Sequence, residues 1–187
     1  MNAIQADARF PQAREVVDFW KQAGPDMWFK KDEAFDEEFS RRFADLHMAA
    51  ARRELEAWCD EPESALALLI LLDQFPRNAF RGTAHMFATD PLAQHYARKA
   101  FDAGFIERLE APLRLFMFLP FTHAENLADQ ELSLRLYRQY APDALSFGID
   151  HLDIIERFGR FPHRNPSLGR ETTAEEQAFL DEGGFAG

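Results

Sequence analysis

Residues 62–82, PESALALLILLDQFPRNAFRG, decide the fold class. Pro62 suits the first turn of a helix, where its missing amide would have had no partner anyway. From Ala65 to Leu72 every position is apolar, so this helix has no face suited to water and is expected at the centre of the fold. The run is far too short to cross a bilayer. Pro76 then removes a backbone donor and biases Phe75 toward extended backbone. The pattern therefore predicts that the helix stops there and the chain turns, with Arg77, Asn78 and Arg81 on the turn.

The flanking sequence reads as amphipathic helix on both sides. Pro11 to Ala23 places Val16, Phe19, Trp20 and Ala23 on one face and stops at Gly24-Pro25. Asp32 to Trp58 reads as one long helix with Phe35, Phe39, Phe43, Leu46 and Ala50 as its buried stripe. Asp90-Pro91 starts and Gly104 stops a helix whose small residues Ala93, Ala97 and Ala100 suit close packing. Ala111 to Leu119 is a further core helix, ended by Pro120. Thr122-x-x-Glu125 has the form of a capping box opening a helix to Tyr140, and Asp143 to Phe158 is closed by Gly159. Thr172-x-x-Glu175 and Thr173-x-x-Glu176 offer overlapping boxes for a last short helix. No segment alternates like a strand. The expectation is an all-α fold of about eight helices joined by short loops, hence antiparallel hairpins in a bundle or a stacked solenoid. One domain over residues 1–187 is expected, with residues 1–10 a disordered N-terminal tail and 183–187 a C-terminal tail.

Composition supports a substantial core and narrows the partners. The 187 residues are 47% hydrophobic and include 19 phenylalanines, whose rings bury large areas. A net charge of −11 opposes non-specific binding to nucleic acid or an anionic membrane. The single cysteine, Cys59, allows no intrachain disulfide. The N-terminus lacks the apolar run of a signal peptide, which makes the cytoplasm the expected location.

Three segments carry residues suited to chemistry. In the first, Asp73 lies four residues before Arg77, within reach of an ion pair, with Asn78 and Arg81 following. The second places His123 and Glu125 after Pro120, a base and an orienter, although Glu125 also has the capping role. A metal site there would need further ligands, such as His151 or His163, and none is expected. The third runs from Arg157 to Arg170 and holds four arginines, one histidine and no acid, a local inversion in an acidic chain. Within it, Gly159–Asn165 combines Arg160, His163, Arg164 and Asn165 with a stiff proline turn. Arginine forks and loop amides suit a carboxylate or phosphate. The opposing account is that these arginines neutralise acidic helix ends nearby. Phe75-Pro76-Arg77-Asn78 and Phe161-Pro162-His163-Arg164-Asn165 echo one another, each after an apolar helix. His151 shares a face with Phe158 and is expected to be a hydrogen-bonded core residue.

The motifs Leu-Asp-Gln-Phe-Pro-Arg-Asn-x-Phe-Arg-Gly (Leu72–Gly82), Phe-Leu-Pro-Phe-x-His-x-Glu (Phe118–Glu125) and the run Arg157–Arg170 occur in that order. With Asp18–Trp20 and Trp28-Phe29 they resemble the bacterial domain of unknown function numbered 924. Ala124 and Thr172 stand where serine is more usual. The resemblance implies a tetratricopeptide-repeat-like stack of antiparallel helices and no established activity. The leading expectation is a module that binds an acidic small molecule or peptide carboxylate where the two echoed turns converge. Arg77, Arg81, Arg160, His163 and Arg164 would hold the anion, and Asn78 and Asn165 would order the turns. The alternative is a hydrolase or transferase with His123 or His163 as general base, Glu125 or Asp73 as orienter, and arginines stabilising developing charge. A protein–protein adaptor is a third reading. No motif specifies a cofactor.

Overall fold

The apolar run forms the buried axis of the molecule. In the computed structural model, which describes residues 9–185, every side chain from Ala65 to Leu72 is at most 2% exposed. The described residues form eleven α-helical segments and no strand. These are α1 (Pro11–Ala23), α2 (Pro25–Trp28), α3 (Glu33–Ala51), α4 (Pro62–Leu69), α5 (Phe75–Ala79), α6 (Asp90–Asp102), α7 (Leu119–Thr122), α8 (Leu127–Tyr140), α9 (Leu145–Phe158), α10 (Asn165–Leu168) and α11 (Ala174–Asp181). Helices α1 and α6 pack on α4, and α3 packs on α5. Trp20, Phe39, Phe43, Phe75 and Phe116 fill the space between them. A smaller cluster of Ile154, Ile155 and Phe161 lies under α9, with Phe179 and Phe185 against it. None of the helices is long and apolar enough to cross a membrane.

Pro76 does not end the central helix. Between α4 and α5, residues Ile70–Gln74 form a π-helical turn, so the helical path continues to Ala79. Phe75 stays right-handed helical (φ −53°, ψ −49°), and its amide bonds back to the Ile70 carbonyl. The wider turn relieves the clash a proline ring makes with the carbonyl four residues earlier. Carbonyls set free around it find side-chain donors: His47 Nδ1 lies 2.9 Å from Leu71 O, and Thr89 Oγ1 donates to Leu72 O at 2.5 Å. Arg77 Nη1 donates to Asp73 O at 2.7 Å. Tertiary partners thus override the local stop signal.

Three other helix boundaries differ from expectation. Helix α3 ends at Ala51, because Arg52–Glu54 have no apolar side chain to bury and Arg53 turns left-handed (φ 63°). Trp58 enters the core from a separate 3-10 turn, Glu56–Asp60. Pro120 starts α7, where its missing amide is harmless, and the preceding Ala111–Met117 is 3-10 rather than α. Helix α8 begins at Leu127, capped by Asn126, whose side chain accepts the Asp129 amide at 3.1 Å. Thr122 pairs instead with the Ser133 hydroxyl. Only Thr173 and Glu176 form a complete capping box at α11. Helices α8 and α9 approach closely because Gly148 faces Tyr137: a Cβ there would lie 2.6 Å from the ring. Of the two expected tails, residues 1–8 and 186–187 lie outside the described residues. Phe10 packs on Trp58, and Phe185 on His151.

Candidate functional site

The two echoed turns meet on one carboxylate. Asp90, the first residue of α6, receives both forks of Arg77 (2.8 and 3.0 Å) and Nη1 of Arg164 (3.2 Å). Asp90 is 5% exposed and Arg164 6%. The Arg164 guanidinium is stacked between Phe87 (4.6 Å) and Phe161 (4.5 Å) and also donates to the His123 carbonyl. Burial pulls its pKa down to about 10 against the attraction of Asp90, which leaves it protonated at neutral pH.

The echo extends to the asparagines. Asn78 donates to Asp36 at 2.7 Å, and Arg81 forks onto the same carboxylate. Asn165 donates to Glu176 at 3.2 Å, and Arg160 forks onto that one. Arg170 takes Glu125 at 2.6 Å, and Glu125 also accepts the Phe161 amide. Each arginine in the two turns is therefore paired with a carboxylate, Arg77 and Arg164 sharing Asp90, Arg81 on Asp36 and Arg160 on Glu176. An incoming anion would have to compete with a built-in one at every position.

Asp73 joins the network from the π-turn. Its side chain is within 2.8 Å of His123 Nδ1 and accepts from Gln74 Nε2 at 2.7 Å, with Arg77 Nη1 at 3.3 Å. Burial works against the carboxylate, but Arg77 and His123 hold its pKa far below the ordinary range. An ionised Asp73 can only accept, so His123 Nδ1 carries the proton. Burial and the repulsion of Arg77 outweigh Asp73 and lower the ring's pKa, so His123 is neutral and its Nε2 bears a lone pair. His151 is fixed in the same tautomer, with Nδ1 2.8 Å from the Phe147 carbonyl. Burial first, then His123, push its pKa down to about 4. Burial and Arg164 bring His163 to about 3, and its Nδ1 is buried without a partner.

These groups line a cavity of about 520 Å³. Arg77, Asn78, Arg81, His123, His163 and Arg164 reach its wall, as does His151. Asp73 stands behind His123. Arg160, Asn165 and Glu125 lie off the cavity, holding the Gly159–Arg170 loop to α11 and to the start of α8. Most of the remaining wall is apolar and was missed in the sequence, including Phe29, Met86, Phe87, Leu115, Leu119 and Phe147, along with Gln74, Thr122 and Tyr137. Phe29 (62% exposed) and Phe147 (57%) leave large rings in water at its rim. Among the described residues, no three histidines, cysteines or carboxylates gather as metal ligands.

Fold and site together define an all-helical protein with a cavity lined by both ion-paired or imidazole side chains and aromatic rings. The chain belongs to the family described as bacterial protein of unknown function (DUF924), whose model matches residues 16–184. It is similar to a solved protein of unknown function from Agrobacterium tumefaciens, at 55% identity and a TM-score of 0.89 over 91% of this chain and 97% of that one. No curated protein matches it.

Proposed function

We propose that this protein binds a small molecule with a flat apolar body and a polar head in the cavity where the two turns meet. The cavity itself carries the reading: about 520 Å³, lined by phenylalanine, leucine and methionine together with histidines and ion-paired arginines. Such a volume is ordinary for a ligand site, and apolar walls with few oriented polar groups are the usual design. The rigid Asp73–Arg77–Asp90–Arg164 network holds those groups in place. Phe147 lies at the rim and is 57% exposed, so it can be removed without damage to the core. Replacing Phe147 by Ala should weaken binding of an aromatic probe such as naphthol about threefold to tenfold. Stability to urea should change by no more than about 0.5 kcal/mol. Unchanged affinity would argue that the probe binds elsewhere.

The Asp73–His123 contact of 2.8 Å supports a second reading in the enzyme class, hydrolase or transferase. A carboxylate that fixes the tautomer of a neutral imidazole leaves Nε2 ready to accept a proton from a bound hydroxyl or water. Under that reading, His123→Gln abolishes turnover of a bound compound while its binding persists.

A further inference from the structure

The chemistry of the ligand's head can be read from what the cavity wall has left to offer. Three cations reach that wall, Arg77, Arg81 and Arg164, and each is paired with carboxylate: Asp73 and Asp90, Asp36, and Asp90 respectively. Three arginines against three aspartates leave no net charge. The guanidinium hydrogen bonds run into the protein: those of Arg77 to Asp73 O and Asp90, those of Arg81 to Asp36, and those of Arg164 to Asp90 and His123 O. Arg164 Nε has no partner but is buried within the wall between two rings, out of a ligand's reach. Asn78 and Gln74 likewise direct their amide donors onto Asp36 and Asp73.

Two of the three imidazoles on the wall are the opposite case; the third, His163, leaves its buried Nδ1 without a partner. His123 gives its one N–H to Asp73, and His151 gives its one N–H to the Phe147 carbonyl. Each then has a single polar atom left, Nε2, and in a neutral ring with Nδ1 protonated that atom is an acceptor. The two rings stand 6.4 Å apart between centroids, both on the cavity wall.

We propose, resting on the small-molecule reading above, that the cavity selects an uncharged ligand whose head donates hydrogen bonds: an aromatic hydroxyl, alcohol or N–H compound rather than a carboxylate, sulfonate or phosphate. A donor head meets the lone pairs of His123 and His151. An anionic head would meet those lone pairs and the aspartates behind the arginines, after losing its own hydration, and both effects oppose it. A head without a donor leaves Nε2 desolvated and unpaired, the situation that makes sites built around a hydrogen bond discriminate strongly.

The test is a set of naphthalene probes of one body and different heads, titrated into the wild-type protein by calorimetry at neutral pH: naphthol, its methyl ether, naphthoate and naphthalenesulfonate. Naphthol should bind at least about tenfold more tightly than the ether, with both anions weaker still. In His123→Phe, and separately in His151→Phe, the preference of naphthol over the ether should shrink to about threefold or less while the ether still binds. Two such variants keep the test usable if one fails to fold, and the wild-type ranking needs neither. If an anion binds best, or naphthol and ether bind alike, the donor-head proposal is overturned and the cavity remains a ligand site. If none of the four binds, both readings fall together.

Discussion

Asp90 joins two arginines that the sequence separates widely, Arg164 lying 74 positions away. In the sequence it signals only a helix start before Pro91, and its role as shared counter-ion appears only when Arg77 and Arg164 converge on it. The arginines of the two turns were legible as a departure from an acidic background. The carboxylates that answer them were not, because Asp36, Asp90 and Glu176 sit on ordinary acidic helix starts among 32 acids. His123 and Asp73 could be named as candidates, but Glu125 was as good a partner by spacing; only the fold turns Asp73 toward His123 and Glu125 toward Arg170. Because the Asp90 cluster is buried, removing its shared charge leaves two guanidinium groups under-compensated. Asp90→Asn should lower stability by about 3–5 kcal/mol in urea denaturation. A loss below about 1 kcal/mol would mean that water or Asp73 already satisfies both arginines.

At the scale of elements, periodicity located the helices at both ends and the buried α4, since their apolar patterns act through local geometry alone. It failed where tertiary bonds decide. The π-turn at Ile70–Gln74 leaves no mark in hydropathy, because residues 65–72 are apolar in every direction and any helical pitch buries them equally. Pro76 was the available clue, and it pointed to a stop because its lost hydrogen bond was counted without the side chains that replace it. His47 from α3 and Thr89 before α6 supply those bonds, tying two elements to the turn that presents Asp73. Thr89→Val keeps the shape and removes the donor to Leu72 O. It should cost about 1–3 kcal/mol, measured by thermal or urea unfolding. A neutral outcome would show that the freed carbonyl needs no partner. The capping-box pattern at Thr122 failed for a related reason: Glu125 is held by Arg170 and the Phe161 amide, and Asn126 caps in its place.

Over the whole molecule, the buried network is a frame and the cavity is what it frames. Helices α5 and α6 contribute Arg77 and Asp90, the π-turn contributes Asp73, α7 leads into His123, α9 carries His151, and the basic loop brings His163 and Arg164. The aromatic and aliphatic lining comes from the end of α2, the 3-10 segments, α7 and α9. These segments are scattered along the chain and individually unremarkable, which is why the sequence points to the polar half of the site and not to its body. Naphthol titrated into isotopically labelled protein, with methyl and amide shifts followed by magnetic resonance, locates any binding directly. Saturating changes confined to the cavity lining, among them Leu115, Leu119, His123, Ala144, Phe147 and His151, are the predicted result. Changes that never saturate, or that fall on the separate hollow at Asp150, Asp153 and Arg157, would contradict it.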